Sequence, residues 1–215
     1  MNTTLENPIE RRDGKEIATV DYYNGGKNIY DPASGIDIVK IFSGDSYVST
    51  KPNEMLVTIL GSCVAACIRD PIAGVGGMNH FLLPGNETTV PELSAANRYG
   101  VFAMESLING ILKAGGRKDR LEVKVFGGGN VINNSIRIGS KNAAFIRDFL
   151  KAEGLKIVSE DLEGDLPRRI HYYPDTGKVM MRKLKRKEDM RVVEEEKKYT
   201  QTLTTKPVEG DIDLF

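Results

Sequence analysis

Apolar and polar residues change their rhythm several times along this chain, and each change marks an element. Residues 1–34 are polar and rich in Asn, Gly, Asp and Pro, with aromatic side chains at Tyr22, Tyr23 and Tyr30. That composition predicts an extended arm with little core of its own. From Ile36 the pattern turns strand-like, as Ile36, Ile38, Ile41 and Phe42 lead into the turn residues Ser43-Gly44-Asp45 and a second short run through Val48. Met55 to Leu60 is an apolar run, β-branched in its middle and ending at Gly61-Ser62. It predicts a buried strand entering a tight turn. Cys63–Arg69 and Val75–Leu83 flank Asp70-Pro71-Ile72-Ala73-Gly74. Asp-Pro followed closely by Gly predicts an antiparallel hairpin.

The second half carries two helical periods. Val101, Met104, Leu107, Ile108, Ile111 and Leu112 share one face of a helix over about 95–114, with Gly115-Gly116 as its stop. Phe145, Phe149 and Leu150 do the same over about 141–153, with Gly154 just past the end. Between them, Leu121 to Phe126 alternates as a strand into Gly127-Gly128-Gly129, and Leu155 to Ser159 reads as another. Arg168–Tyr173 and Lys178–Leu184 flank Pro174-Asp175-Thr176-Gly177, a second hairpin. The fold class is therefore mixed, α+β, with strands dominating the first half. One unit over 35–184 lies between the arm of 1–34 and a charged tail, 185–215, that ends in the apolar Ile212, Leu214 and Phe215. That end reads as a docking tail outside the catalytic unit.

Composition narrows the partners. In 215 residues, 30 basic and 30 acidic side chains cancel, so no global field attracts nucleic acid or an anionic membrane. No apolar run approaches the roughly 20 residues that span a bilayer, and the N-terminus has no signal-peptide core. A cytoplasmic protein is expected. In that reducing compartment Cys63 and Cys67, the two cysteines, are expected to be thiols.

A cysteine nucleophile needs a base within hydrogen-bond reach, and the chain holds two histidines, His80 and His171. If Asp70 and Ala73 face each other across the hairpin turn, Cys63 falls directly opposite His80 on the same face of the sheet. A nearby imidazolium would supply thiolate at neutral pH. Gly61-Ser62 lets the backbone turn sharply and leaves the Ser62 and Cys63 amides to meet a developing oxyanion. Thr58 is placed to orient the far nitrogen of His80. Each residue also has a plain structural reading: a cysteine on a strand is commonly core, and a lone histidine commonly a satisfied surface or core group. A zinc site of Cys63, Cys67 and the histidines fails on spacing, since four residue steps along a strand separate the thiols by about 13 Å. Cys67 is then core. The Gly127–Gly129 run lacks the ending of a phosphate loop and reads as a turn where backbones approach closely. His171 reads as a strand residue beside Tyr172 and Tyr173. No metal or cofactor is required.

Leu60-Gly61-Ser62-Cys63-Val64, Arg69-Asp70-Pro71 and the segment from Gly76 to Pro84 together resemble the signature of CheD, the chemoreceptor glutamine deamidases of bacterial chemotaxis. Arg98-Tyr99, Phe126–Gly129, Ile138-Gly139 with Asn142, Thr176–Lys178 and Arg182-Lys183 extend the resemblance over about 36–184. It implies a layered sandwich of mixed β-sheets flanked by helices, similar to the deamidase domain of cytotoxic necrotizing factor toxins. It implies Cys63 as nucleophile, His80 as acid and base, and Thr58 as the third catalytic residue. The implied substrate is a glutamine side chain on chemoreceptor helices, hydrolysed to glutamate with release of ammonia. A CheC-type phosphatase is an implied partner. Two rival readings use the same fold, a non-catalytic adaptor for receptor or phosphatase and an acyl transferase that delivers the thioester to an amine.

Overall fold

The computed structural model describes residues 10–12, 15–17, 27–83, 95–131 and 137–184. The chain runs β1 (Glu10–Arg12), β2 (Lys15–Ile17), β3 (Asn28–Asp31), β4 (Ile36–Lys40), β5 (Ser46–Ser49), β6 (Glu54–Leu60), β7 (Val64–Asp70), β8 (Val75–Asn79) and α1 (Ala95–Lys113). It continues through β9 (Glu122–Gly127), α2 (Ile138–Ala152), β10 (Ile157–Leu162), β11 (Arg168–Tyr173) and β12 (Lys178–Lys183). Strands β1 and β2 pair with each other, and the other ten form two five-stranded sheets. The first has the order β12-β11-β6-β4-β3 and the second β10-β9-β7-β8-β5. Both are mixed, because β4–β6 and β9–β10 are parallel and the remaining neighbours antiparallel.

Side-chain alternation along the central strands sorts the core into layers. Leu56, Leu60, Cys63, Ala65, Cys67, Met78, Leu82, Ile170 and Tyr172 meet between the two sheets. Val64, Ala66, Ile68, Val123 and Val125 point the other way, onto α1 and α2. Ile38, Met55 and Val57 form a small cluster on the outer face of the first sheet. Strands β6, β7 and β8 are buried along nearly their whole length, which is why their sequences read as continuous apolar runs.

The architecture is α+β, as the periodicities predict, with two refinements. Among the described residues both helices pack on the second sheet, so the layers run sheet, sheet, helices, and the first sheet is not flanked by a helix. The sheet also starts earlier than the polar composition of 1–34 suggests. Asn28–Asp31 pairs with Ile36–Lys40 through a turn in which Asp31 accepts from Ala33 N–H and Ser34 Oγ–H, and Gly35 takes a φ of +67°. Residues 185–215, including the apolar end Asp211–Phe215, lie outside the described residues. No described helix is long and apolar enough to cross a membrane.

Candidate active site

Two crossovers between the sheets build one end of the sandwich. Residues 41–45 carry the chain from β4 in the first sheet to β5 in the second, and residues 61–63 carry it from β6 to β7. The apolar runs around Ser43-Gly44-Asp45 thus belong to different sheets. Thr58, near the end of β6, shares the inter-sheet face with Leu56 and Leu60. His80 follows β8 directly.

The structure brings Thr58 and His80 into contact, with Thr58 Oγ1 2.8 Å from His80 Nδ1. The direction of that bond follows from the hydroxyl's single proton, which goes to the Ile41 carbonyl at 2.7 Å. The hydroxyl must then accept from Nδ1–H. Ile41 O also lies 3.4 Å from Nδ1, and a carbonyl can only accept, which requires the same tautomer. In the neutral ring Nδ1 then carries the proton and Nε2 the lone pair. Both side chains are buried, His80 at 6% and Thr58 at 2% exposure, so the ring is held in a fixed setting. Its main chain is fixed too, through His80 N–H to Asp45 O at 3.0 Å and Gly44 N–H to His80 O at 2.7 Å.

The predicted hairpin forms, but its register differs by two residues from the one expected. Asp70 faces Val75 and not Ala73, because its carboxylate accepts from Ile72 N–H and Ala73 N–H and makes the turn a four-residue loop closed by Gly74 at φ +65°. The correction carries to the site. Val64 faces Phe81, which puts Leu82 opposite Cys63 and leaves His80 as its diagonal neighbour. A two-residue shift keeps every side chain on its original face. Cys63 and His80 thus still share the inter-sheet face, where diagonal neighbours stand within reach of a ring side chain. Asn79 marks the irregularity: its side-chain oxygen, not a main-chain carbonyl, accepts from Ala66 N–H at 2.9 Å.

The turn before Cys63 is clamped at three successive carbonyls. Gly61 O accepts from Gly129 N–H at 2.7 Å, Ser62 O from Asn142 Nδ2 at 2.8 Å and Cys63 O from Gly128 N–H at 2.7 Å. Gly127 and Gly128 reach these positions with φ of +114° and +64°, and a side chain on Gly127 would fall on the Cys63 carbonyl. The glycine run is a close backbone approach, as the sequence indicates. Asn142, buried on α2, also accepts from Leu83 N–H at 2.9 Å, and so ties the Cys63 turn to the segment after His80.

Cys63 is fully buried, and its sulfur lies 3.6 Å from Ser43 Oγ. Sequence reasoning did not single out Ser43; its Ser-Gly-Asp turn was visible, but nothing in the chain tells what a turn packs against. His171 does not join the site. It pairs with Val57 while Ile170 pairs with Thr58, so it stands on the opposite face of the first sheet. Burial, and secondarily Arg169, lower its pKa to about 4. Cys67 shares the face of Cys63, four residues further on, and burial pushes its thiol far up. Both cysteines are thiols.

Against known proteins, the family model described as CheD chemotactic sensory transduction matches residues 82–183. A "probable chemoreceptor glutamine deamidase CheD" of Hydrogenovibrio crunogenus is 50% identical over 187 residues, 86% of this chain and 97% of that protein. The chain belongs to the CheD family. Family members of the same printed name include one from Rhodopseudomonas palustris, 50% identical over 202 residues that make up 94% of this chain and 95% of its own. Another, from Methylobacillus flagellatus, is 42% identical over 215 residues, 98% and 100% of the two chains. The CheD model's match holds Gly127–Gly129 and Asn142, while Thr58, Cys63 and His80 fall within the stretch shared with these longer-matching relatives. Among solved structures, a hypothetical protein YfiH of Bacillus licheniformis aligns at TM-score 0.37 and 13% identity over 56% of this chain and 50% of that one. A Neisseria meningitidis protein of family DUF152 aligns at TM-score 0.38 and 9% identity over 60% and 63%. Likenesses at that level carry nothing about chemistry.

Proposed function

We propose that this chain is a protein-glutamine deamidase that acts on chemoreceptors, with Cys63 as nucleophile, His80 as acid and base, and Thr58 as the residue that orients His80. The observation that carries the reading is the Thr58–His80 bond, which commits Nδ1–H and turns Nε2 into the exchanging nitrogen on the face His80 shares with Cys63. The relatives' printed name supplies the substrate class, a glutamine on a chemoreceptor.

The chemistry follows from these groups. The Cys63 thiolate adds to the carboxamide carbon, and the carbonyl oxygen takes the negative charge. Peptide planarity sets each N–H opposite the carbonyl of its own unit. With Gly61 O and Ser62 O held towards Gly129 and Asn142, the Ser62 and Cys63 N–H groups are aimed the other way, where an oxyanion would sit. His80 protonates the nitrogen, the carbon–nitrogen bond breaks and ammonia leaves. Water, deprotonated by His80, then hydrolyses the thioester to glutamate and returns the thiol.

On this reading residues 35–184 are the catalytic unit, its layered sheets are the deamidase fold of cytotoxic necrotizing factor toxins, and the protein works in the cytoplasm. A CheC-type phosphatase that competes with receptor is the further partner implied by the family resemblance. The test is mass spectrometry of chemoreceptor peptides incubated with the protein. A gain of about 1 Da at glutamine, lost in Cys63→Ala and His80→Asn but kept in Cys67→Ala and His171→Asn, is the expected result, since loss of an acid–base group costs roughly 10²–10⁴-fold. Receptor binding with no mass change in the wild type would make the protein an adaptor, and a larger gain from a captured amine would make it an acyl transferase.

A further inference from the structure

Cys63 is fully buried, so water does not solvate its sulfur, and a thiolate there needs a donor within the protein. Ser43 Oγ stands 3.6 Å from that sulfur, within hydrogen-bond range for so large an acceptor. The hydroxyl sits on a turn built to hold it. Asp45 accepts from Phe42 N–H at 3.1 Å and donates its own N–H to Phe42 O at 2.9 Å, Gly44 takes φ +91°, and Lys27 pairs with the Asp45 carboxylate at 2.8 Å. The same turn bonds the main chain of His80 on both sides. One rigid loop therefore sets the position of the hydroxyl relative to the thiol and the imidazole together.

We propose that Ser43 is a further catalytic residue, which donates its hydroxyl proton to the Cys63 sulfur and holds it as the thiolate. This rests on Cys63 being the nucleophile. With the thiol protonated, either group can donate; once the sulfur is an anion, only the hydroxyl can, and the bond strengthens. The difference between the two states is what favours the thiolate. The charged and titratable groups on the elements around Cys63 include His80 after β8, Asp45 with Lys27 at the first crossover and Arg168 on β11, with Cys67 and Tyr172 further along the inter-sheet face, and Lys40 on β4, Glu54 on β6, Arg69 and Asp70 on β7 and Glu122 and Lys124 on β9. Ser43→Ala and Ser43→Thr keep every one of these side chains, and the Thr variant controls for any shift of the turn that bonds Asp45 and His80. Cys67 shows what burial does to a thiol on this face, for its proton is held far above the ordinary range.

The test is the rate of iodoacetamide labelling at Cys63 against pH, read by peptide mass in the full chain. Ser43→Ala is expected to move the midpoint up by on the order of one pH unit. Ser43→Thr, which keeps the hydroxyl, should restore the wild-type profile. Deamidation by Ser43→Ala should fall near neutral pH and rejoin the wild type above the shifted midpoint. Superimposable profiles for wild type and Ser43→Ala overturn the proposal. So does an equal shift in the Ala and Thr variants, which would trace the effect to the shape of the turn. Deamidation that survives Cys63→Ala is a separate result: it removes Cys63 as nucleophile, while the labelling profiles still decide whether Ser43 governs the thiol.

Discussion

Thr58 shows how much one hydroxyl decides. Its single proton is spent on Ile41 O, so its oxygen can only accept from His80, and the tautomer of the imidazole follows. Thr58→Val keeps the shape of the side chain and removes both bonds, leaving the Ile41 carbonyl, 3.4 Å away, as the acceptor for Nδ1–H. The ring then loses its orienting partner but not its place in the core. On the proposed mechanism, turnover of receptor peptide is expected to fall roughly 10- to 100-fold, less than the roughly 10²–10⁴-fold expected for loss of His80. Thr58→Ser should recover most of the rate while Thr58→Val stays folded by circular dichroism. A Val variant as active as wild type would show that the bond does not serve the reaction.

The hairpin of β7 and β8 sets the diagonal placement of Cys63 and His80 on one face, and Asp70 sets the hairpin. Its buried carboxylate accepts from Ile72 N–H and Ala73 N–H on one oxygen and from Arg117 N–H and Arg120 on the other. Burial alone would raise its pKa; the bonds from Ala73, Arg117, Arg120 and Ile72 outweigh it and hold the group at about 2. An acid whose folded pKa is depressed stabilises the fold above its unfolded value, about 3.9, and loses that contribution as pH falls through the folded value. Urea denaturation should therefore find Asp70→Asn less stable than wild type at neutral pH, with the gap closing between about pH 4 and pH 2. A gap that stays constant over that window would mean the carboxylate's charge is not what holds the turn.

At the scale of the whole molecule, the two sheets are pinned by Arg168. It lies on β11 in the first sheet at 1% exposure, and its guanidinium donates to Gly127 O and Glu163 O. Its Nε forms a 2.9 Å ion pair with Asp161 on β10 in the second sheet, a charge contact and not a directed hydrogen bond. Lys183 on β12 meets the same carboxylate at 3.1 Å. Because Gly127 begins the loop that clamps the Cys63 turn, this cross-sheet tie also supports the site. Arg168→Met leaves the Gly127 and Glu163 carbonyls without their donor, at roughly 1–3 kcal/mol each, so denaturant unfolding is expected to show a loss of about 2–5 kcal/mol. Lys183→Met, which removes a half-exposed partner, should cost no more than about 1 kcal/mol. Equal costs would mean that Arg168 acts by packing alone.

Most of the fold was legible because burial writes itself into local pattern. The β6 run, the two helical periods and both hairpins stand in the sequence, since a strand buried on both faces must be continuously apolar and a helix on a sheet must carry a stripe. Cys63 and His80 could be paired on parity, which survives a two-residue error in register. Tertiary structure alone decided the rest. Whether β4 and β5 pair or belong to different sheets depends on contacts with β6 and β8, distant in the chain. That Ser43 reaches Cys63, that Asn142 on a helix 80 residues away in sequence grips Ser62 O, and that Arg168 ties both sheets to the glycine loop are properties of crossings between layers. Periodicity reports which face a residue presents. It carries no information about which part of the chain that face will meet.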